Sequence, residues 1–203
     1  PLAEDPYITM NSDGTIWTDG SGWHYVTFER KQINSASSQL DTGVARTKNF
    51  RTDWEVWNGS AWTTSLSTHA IVLARGAAAS WEQDFTGSPV VVMDSGVATM
   101  LYEGANGSNY QTGIARSTDH VTWTKEASNP VSTLDVPDDI RKIGSTWWMV
   151  GHGTAGNQTR YSTTVAPGSW NSSSWTADAA IFENGGNSVN LVFGPDGDRW
   201  ATY

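Results

Sequence analysis

Thr112-Gly-Ile-Ala-Arg-Ser-Thr-Asp-His-Val-Thr-Trp123 contains a motif that the chain uses more than once. Its first half is similar to Thr42-Gly-Val-Ala-Arg-Thr47, and a weaker copy runs from Arg160-Tyr-Ser to Thr163-Thr164. Apolar and polar residues alternate within the motif, which predicts a half-buried β-strand. We therefore expect the same strand to occur in several structural repeats.

A tryptophan follows each copy of this strand. Trp123 and Trp170 come six residues after the end of their copies, and Trp54 comes seven residues after its own. One large ring at a fixed offset from a strand can fill the wedge between two neighbouring sheets. We therefore predict that these tryptophans belong to the core.

Each copy is also preceded by a predicted hairpin that contains a long aromatic strand. Three of these hairpins lie in Thr18–Phe28, Met93–Tyr102 and Ile143–Val150, and a fourth, Phe193–Tyr203, follows the last copy. An inner strand, its hairpin partner, the repeated strand and the Trp-bearing outer segment form a four-stranded antiparallel meander, which is the blade of a β-propeller. We predict one partial all-β propeller domain over 1–203, with blades at about 1–75, 76–132 and 133–182 and a fourth that begins at 183.

The composition supports an all-β chain and limits the partners. Of 203 residues, 37% are hydrophobic, and glycine (20) and tryptophan (12) are abundant. The net charge is −9, with 12 Lys+Arg against 21 Asp+Glu and no basic run, which argues against nucleic acid because phosphates need clustered positive charge. No apolar run approaches the ~20 residues of a membrane span, so we expect a soluble protein without a membrane partner.

The predicted blades are too few to close a ring, since propellers need about four to eight. The chain begins with Pro1 rather than Met and ends inside the predicted strand Arg199–Tyr203. We expect that the natural protein is longer or that other chains complete the ring. The absence of cysteine excludes disulfides and thiolate metal sites but does not fix the compartment.

Gly113-Ile-Ala-Arg-Ser-Thr-Asp-His-Val-Thr-Trp-Thr-Lys-Glu-Ala-Ser-Asn-Pro-Val131 resembles the repeat of five-bladed propeller glycosidases, the group of glycoside hydrolase families 43, 32 and 130. Ser117, Asp119, Trp123 and the pair Asn129-Pro130 match the repeat, whereas His120 stands where the group prefers glycine. The stretch also resembles the Asp-box of sialidases, but that motif spaces its Gly and Trp differently. Such repeats shape a turn through Ser and Asp side chains, so we predict a structural role for Asp119.

The resemblance implies where catalytic acids lie, namely at the start of the innermost strand of successive blades, facing a central funnel. Asp5-Pro-Tyr-Ile8 resembles the opening of family 43 chains, where the Asp is the general base. By the same resemblance Asp84 corresponds to the residue that tunes the pKa and orients the substrate, and Glu183 or Asp138 to the general acid. The Glu-Gly-Pro signature that often carries the family 43 acid is missing.

Further residues are candidates for substrate binding. Trp17, Trp81 and Trp147 could stack on sugar rings, whose apolar faces suit flat aromatic surfaces. Glu82 lies next to Trp81, and His152 follows an aromatic strand between two glycines. The four histidines have no metal-ligating spacing, so we expect no metal and no cofactor.

These features predict a carbohydrate-active propeller, with a glycoside hydrolase that uses paired carboxyl groups as the leading hypothesis. The alternative is a non-catalytic carbohydrate-binding or structural propeller, such as a virion appendage or surface adhesin. Under either hypothesis the partner is a carbohydrate, and we expect an extracellular or virion-surface location.

Overall fold

The computed structural model describes residues 2–31, 40–107, 109–131, 134, 136–153, 158–171, 173–182, 190–193 and 199–202. Apart from two 3-10 helices of three residues each, Leu66–Thr68 and Pro167–Ser169, the regular structure in these ranges is β-strand. None of the helices in the described ranges has the length and apolar character needed to cross a membrane.

The strands form successive antiparallel meanders. The first region contains β1 (Leu2–Ile8), β2 (Met10–Asn11), β3 (His24–Lys31), β4 (Leu40–Thr47), β5 (Glu55–Trp57) and β6 (Trp62–Thr63). The second contains β7 (Phe85–Asp94), β8 (Val97–Asn106), β9 (Asn109–Ser117) and β10 (Thr124–Lys125). The third contains β11 (Val136–Ile143), β12 (Thr146–His152), β13 (Gln158–Thr163) and β14 (Thr176–Phe182), and a hairpin of β15 (Asn190–Phe193) and β16 (Arg199–Thr202) follows.

The pairing order places β1, β7 and β11 at the inner edge of their meanders. The first meander runs β1-β3-β4-β5, the second β7-β8-β9-β10 and the third β11-β12-β13-β14. Short parallel bridges from β2 and β4 to β7 join the first two meanders. The all-β class and the four-stranded repeat are as predicted from the sequence.

Strands β7 and β8 of the second meander are buried on both faces. Val90, Val92 and Leu101 face a core shared with the third meander, whereas Val91 and Met100 face a core on the side of the first. The repeated strand β9 behaves alike, with Ile114 in the first of these cores and Ala115 in the second, so the sequence prediction of a half-buried strand is wrong for this copy of the motif. A meander packed between two neighbours has no solvent face, so its alternate positions enter two different cores.

The repeated glycine of the motif is explained by a close aromatic contact. Gly43 is the register partner of Phe28, and Gly113 is the register partner of Tyr102. A Cβ atom at Gly43 would lie 2.7 Å from ring carbons of Phe28, and one at Gly113 would overlap the ring of Tyr102. Only glycine lets the aromatic ring of the preceding strand lie flat over the repeated strand.

The turn after the repeated strand has the predicted side-chain structure. Ser117 Oγ accepts hydrogen bonds from the backbone N–H groups of Asp119 and His120, and Asp119 Oδ1 accepts from those of residues 121 and 122. Thr47 and Asn49 make the corresponding bonds in the first meander. Asp119 is therefore a structural residue, and Asn49 is its counterpart.

His120 occupies the position at which the glycosidase repeat prefers glycine. Its φ of 63° lies in the left-handed region, which explains that preference. The ring is 2% exposed and stacks on Tyr25 and Trp17 at centroid distances of 4.4 and 4.8 Å. This stack joins the first and second meanders, and burial lowers the pKa of His120 from 6.5 to about 4, against the opposing effect of Asp119 and Asp19.

His120 is expected to make stability fall in acid. Because its pKa is lower in the folded than in the unfolded chain, its contribution is present above pH 6.5 and is lost as the pH falls through about 4. The shift corresponds to about 3 kcal/mol. Urea unfolding of the natural chain and of a His120→Asn variant, which tolerates the backbone geometry, should give a difference in stability that shrinks by that amount between pH 7 and pH 4. A constant difference would contradict the assignment.

Candidate functional site

A cavity of about 660 Å³ opens where the inner strands of the three meanders meet, and we call it the funnel. It is lined by Asp5, Pro6, Tyr7, Glu29, Leu40, Phe85, Ser88, Pro89, Val90, Glu103, Tyr110, Val136, Pro137, Asp138, His152 and Gly153. Each meander contributes residues of its inner strand and of the strand beside it. The cavity therefore belongs to the assembled meanders and to no single one.

Each inner strand carries an irregularity at the same place in the funnel wall. The register shifts between Glu4 and Tyr7 in β1, between Gly87 and Val90 in β7 and between Pro137 and Asp139 in β11. Asp5, Ser88 and Asp138 lie within these shifts. A β-bulge re-aims the side chain of the extra residue, which accounts for three polar residues directed at one cavity.

Two of these polar residues have a strained backbone. Asp5 has a φ of 43° and Ser88 a φ of 42°, values that non-glycine residues rarely adopt. Each precedes a proline, which restricts the conformation further. Strain of this kind costs about 1–3 kcal/mol per residue and often occurs at functional sites, so it makes the funnel a candidate for one.

The base of the funnel contains a pair of buried glutamates, which are 4% and 7% exposed. Glu29 comes from β3 and Glu103 from β8, and Ser88 connects them. The Ser88 backbone N–H donates to Glu29 Oε1 at 2.7 Å, and its hydroxyl lies 2.8 Å from Glu103 Oε2 and 3.3 Å from Glu29 Oε1. A Cβ atom at Gly87 would lie 2.7 Å from Glu29 Cδ, so this glycine leaves the space for the carboxyl group.

The electrostatics of the funnel favour protonated glutamates. Burial raises the pKa of Glu29 from 4.5 to about 7, and the negative charges of Asp5 and Glu103 add to the increase while hydrogen bonds from Ser88 oppose it. Burial also raises the pKa of Glu103, with further increases from Asp138 and Asp5 and partial compensation from Ser88 and His152. Carboxyl groups with raised pKa values in a cleft are typical of acid-base sites.

Asp138 and His152 form a hydrogen-bonded pair on the third meander. His152 Nδ1 lies 2.8 Å from Asp138 Oδ1. The neighbouring carboxyl group has a different role, because Asp139 is 1% exposed and accepts hydrogen bonds from Arg141 at 2.6 Å and from the Tyr7 hydroxyl at 3.1 Å. Asp139 thus fixes β11 beneath the funnel while Asp138 lines it.

Aromatic side chains form one side of the funnel mouth. Phe85 and Tyr110 pack against each other with their ring centroids 5.7 Å apart, and Tyr110 is 41% exposed. An exposed ring beside polar groups is the arrangement that binds the apolar face of a sugar while its hydroxyl groups are hydrogen-bonded.

Glu29 is expected to lower the stability of the protein above neutral pH. Its pKa is raised in the folded chain, so its favourable contribution is present below pH 4.5 and is lost as the pH rises through about 7. A Glu29→Gln variant, which imitates the neutral acid, should gain up to about 3 kcal/mol relative to the natural chain between pH 4 and pH 8. Urea unfolding at both pH values measures this, and the opposite trend of His120 cancels because both chains contain it.

A conservative control is available in β7. Asp94→Asn also replaces a carboxylate by an amide, at the far end of that strand and outside the funnel, and is the matched comparison for the loss of one carboxyl group. If Glu29→Gln and Asp94→Asn behave alike, Glu29 is not the buried acid described above.

The structure brings together part of the sequence-predicted site. Asp5, Asp138 and His152 line the funnel, whereas Asp84 lies outside it and accepts a hydrogen bond from the backbone N–H of Gly107 at 2.6 Å. Glu183, the other candidate for the general acid, lies outside the described residues. The predicted carboxyl groups of the first and third meanders, Asp5 and Asp138, thus line one cavity. Asp84, the predicted carboxyl group of the second meander, does not line it.

The other predicted binding residues do not line the funnel. Trp147 is 2% exposed and packs edge-on against Trp170, and Trp17 belongs to the His120 stack. Trp81 is half-buried against Tyr102. Trp147 is therefore part of the core, whereas Trp17 and Trp81 pack against neighbouring rings and stay partly exposed outside the funnel.

Glu82 also contacts other residues of the second meander rather than the funnel. It is 6% exposed, forms an ion pair with Lys125 at 2.6 Å and accepts a hydrogen bond from the Tyr102 hydroxyl at 2.9 Å. These contacts connect β8 and β10 away from the funnel, and removing either partner would leave a buried group unpaired.

Glu29 and Glu103 are the functional candidates that sequence reasoning missed. A signal was present, because Phe28-Glu29 and Tyr102-Glu103 both place a glutamate after the aromatic residue that covers the repeated glycine. Their register partners are Thr42 and Thr112, the first residues of the two motif copies.

Within the described part of the chain, no three histidine or acidic side chains are grouped so as to hold a metal ion. The funnel acids are instead spread around the cavity, with Ser88 connecting Glu29 to Glu103 and His152 paired with Asp138. This arrangement suits proton transfer and hydrogen bonding to a ligand.

The fold is similar to those of propeller glycosidases. BT0996, in a complex with RGII, matches with a TM-score of 0.63 at 15% identity, covering 97% of this protein and 67% of that one. Zg3597, a family 117 glycoside hydrolase from Zobellia galactanivorans, matches with a TM-score of 0.62 at 16% identity, covering 88% and 46%. The Bombyx mori GH32 β-fructofuranosidase BmSUC1 matches with a TM-score of 0.62 at 17% identity, covering 94% and 39%.

These similarities establish the fold. The predicted all-β propeller and its resemblance to the propeller glycosidases are confirmed at that level. No protein-family model matches the sequence, and no curated protein matches it significantly. The chain spans less than half of the Zobellia and Bombyx proteins.

Proposed function

We propose that the chain is the catalytic propeller of a glycoside hydrolase and that the funnel is its active site. One observation carries this proposal, namely that carboxyl groups from three successive meanders line a single cavity of about 660 Å³. Cleavage of a glycosidic bond commonly needs two carboxyl groups that flank the bond. The similarity of the fold to propeller glycosidases supports the same reaction class.

Asp5 takes the role of general base or nucleophile in this proposal. It is exposed at the funnel surface and is held by the bulge of β1, so it can activate a water molecule or attack the anomeric carbon. Asp138 takes the general-acid role, with His152 as its hydrogen-bonded proton partner at 2.8 Å. Glu29 and Glu103, which are buried and have raised pKa values, orient the substrate by hydrogen bonding.

The charge of the funnel selects the class of glycan. Four carboxyl groups line it, and among the described lining residues there is no lysine or arginine. A sugar that carries a carboxylate or sulfate would find no cationic partner among these residues, whereas the hydroxyl groups of a neutral sugar can hydrogen-bond to carboxyl groups in either protonation state. The proposed substrate is therefore a neutral glycan.

An activity screen tests the proposal. The purified protein is incubated with inulin, arabinan and β-mannan as neutral glycans and with polygalacturonate as the anionic comparator, and release of reducing ends is measured. Cleavage of a neutral glycan supports the proposal. Binding of a glycan without release of reducing ends would assign the funnel to a non-catalytic carbohydrate-binding propeller instead, and cleavage of polygalacturonate alone would contradict the charge argument.

A further inference from the structure

A second cleft of about 530 Å³ lies beside the funnel. It is lined by Asp41, Ile71, Ala74, Arg75, Gly76, Ala78, Gln83 and Asp84. Leu40 and Phe85, which line the funnel, are register partners where β4 meets β7, and their chain neighbours Asp41 and Asp84 line the second cleft. One pair of residues therefore separates the two cavities.

Asp41 lines the second cleft, and one of its two carboxylate oxygens has no hydrogen-bond partner within the described ranges. It is 1% exposed, and its Oδ1 accepts hydrogen bonds from the backbone N–H and the Nε–H of Arg75, both at 3.1 Å. The oxygen without a partner in those ranges is Oδ2. A buried carboxylate oxygen without a partner is costly, so Asp41 favours a donor group from a ligand once a small shift of the cleft wall exposes Oδ2.

The other polar groups of the cleft are fixed in place. Arg75 keeps a side-chain exposure of 20%, which leaves its outer N–H groups available to an oxygen atom. Asp84 is held through the backbone N–H of Gly107. Gln83 is held on both sides, since its Oε1 accepts from the Ala79 N–H at 2.6 Å and its Nε2 donates to Asn106 at 2.8 Å. Such pre-positioned donors and acceptors need little reordering when a ligand binds.

The cleft also offers an apolar surface. Ile71 is 39% exposed, and Ala74 and Ala78 are exposed beside it. Apolar carbon next to a carboxylate and a guanidinium matches a sugar ring, which has C–H faces and hydroxyl edges. With two carboxylates against one arginine, the cleft shares the negative character of the funnel.

We infer that the second cleft binds a further sugar unit of the same neutral glycan that occupies the funnel. The inference depends on the proposed function of the funnel, and it adds that the substrate is a chain longer than a disaccharide. A glycan that leaves the funnel over Leu40 and Phe85 enters the second cleft directly. Asp41 and Arg75 then hydrogen-bond its hydroxyl groups.

Gel affinity electrophoresis of matched variants tests this inference. Ala78→Trp fills the cleft from an exposed position, and Ala77→Trp adds the same ring at an exposed neighbour that does not line it. Both variants and the natural chain are run in native gels that contain inulin, arabinan or β-mannan, and circular dichroism confirms that each is folded. The natural chain and Ala77→Trp should be retarded by one of these glycans, with at least about fivefold weaker retardation of Ala78→Trp.

The outcomes separate the inference from the proposed function. Equal retardation of all three proteins, or retardation of none by any glycan, would overturn the second binding site. Retardation that depends on Ala78 in a protein that releases no reducing ends would support this site while it removes the hydrolase assignment. Equal retardation together with cleavage would leave the funnel as the active site and remove only the second cleft.

Discussion

Replacing Asp5 by asparagine is expected to lower kcat at least about 10²-fold on whichever neutral glycan the protein cleaves, since a positioned general base contributes about 10²–10⁴ and a nucleophile at least as much. Asparagine keeps the size of the side chain and the strained turn of the bulge but removes the negative charge. Steady-state rates of reducing-end release measure the effect. Asp94→Asn, at the far end of β7, is the matched control and should retain the rate of the natural chain.

The same assay distinguishes the funnel from the site predicted by resemblance. Asp84→Asn is expected to raise KM on long glycans and to leave kcat within about threefold, because Asp84 lines the second cleft rather than the funnel. A loss of kcat at Asp84 as large as that at Asp5 would mean that Asp84 reaches the reacting bond. A fully active Asp5→Asn variant would remove Asp5 from the reaction.

Replacing Trp170 by alanine is expected to lower the free energy of unfolding by about 3–5 kcal/mol, the usual cost of truncating a fully buried tryptophan. Its ring is 1% exposed, lies 5.4 Å from Trp147 and 4.9 Å from Trp175, and belongs to the core between the second and third meanders. In a chain of this length such a loss lowers the melting temperature by roughly 10 °C.

Trp123→Ala provides the matched comparison because Trp123 occupies the same position in the repeat. It is half-buried and packs at the edge of its cluster, with its Nε1–H donating to the His120 carbonyl at 3.0 Å. We expect it to cost about half as much as Trp170. Urea unfolding followed by circular dichroism measures the free energy of unfolding of both variants. Equal losses would show that the loss depends on the position of the tryptophan in the repeat rather than on its burial.

Most of the structural features that could be predicted from the sequence were predicted from its internal repeat. The motif that begins at Thr42 and again at Thr112 predicted the repeated strand, and Ser117 and Asp119 predicted the turn after it. Both features depend on local spacing and side-chain chemistry, which the sequence shows directly. The burial of the strands on both faces could not be predicted, since it depends on the neighbouring meanders.

The site was harder to predict because its geometry is set by bulges. Asp84 was assigned by its place near the start of an inner strand, but the position in β7 that corresponds to Asp5 and Asp138 is Ser88, four residues later. The Ser88-Pro89 and Asp5-Pro6 pairs share this feature in the sequence. Glu29 and Glu103 were missed because an acid inside a strand usually faces solvent, and only the assembled funnel buries both.

A crystal structure of the Asp5→Asn variant with a bound oligosaccharide of the cleaved glycan tests the central claim most directly. We predict a sugar ring in the funnel between residue 5 and Asp138, with the side-chain carboxyl or amide carbons of these residues roughly 5–10 Å apart on either side of the scissile bond. A glycan bound only elsewhere on the protein, with the funnel holding only solvent at saturating ligand, would contradict it.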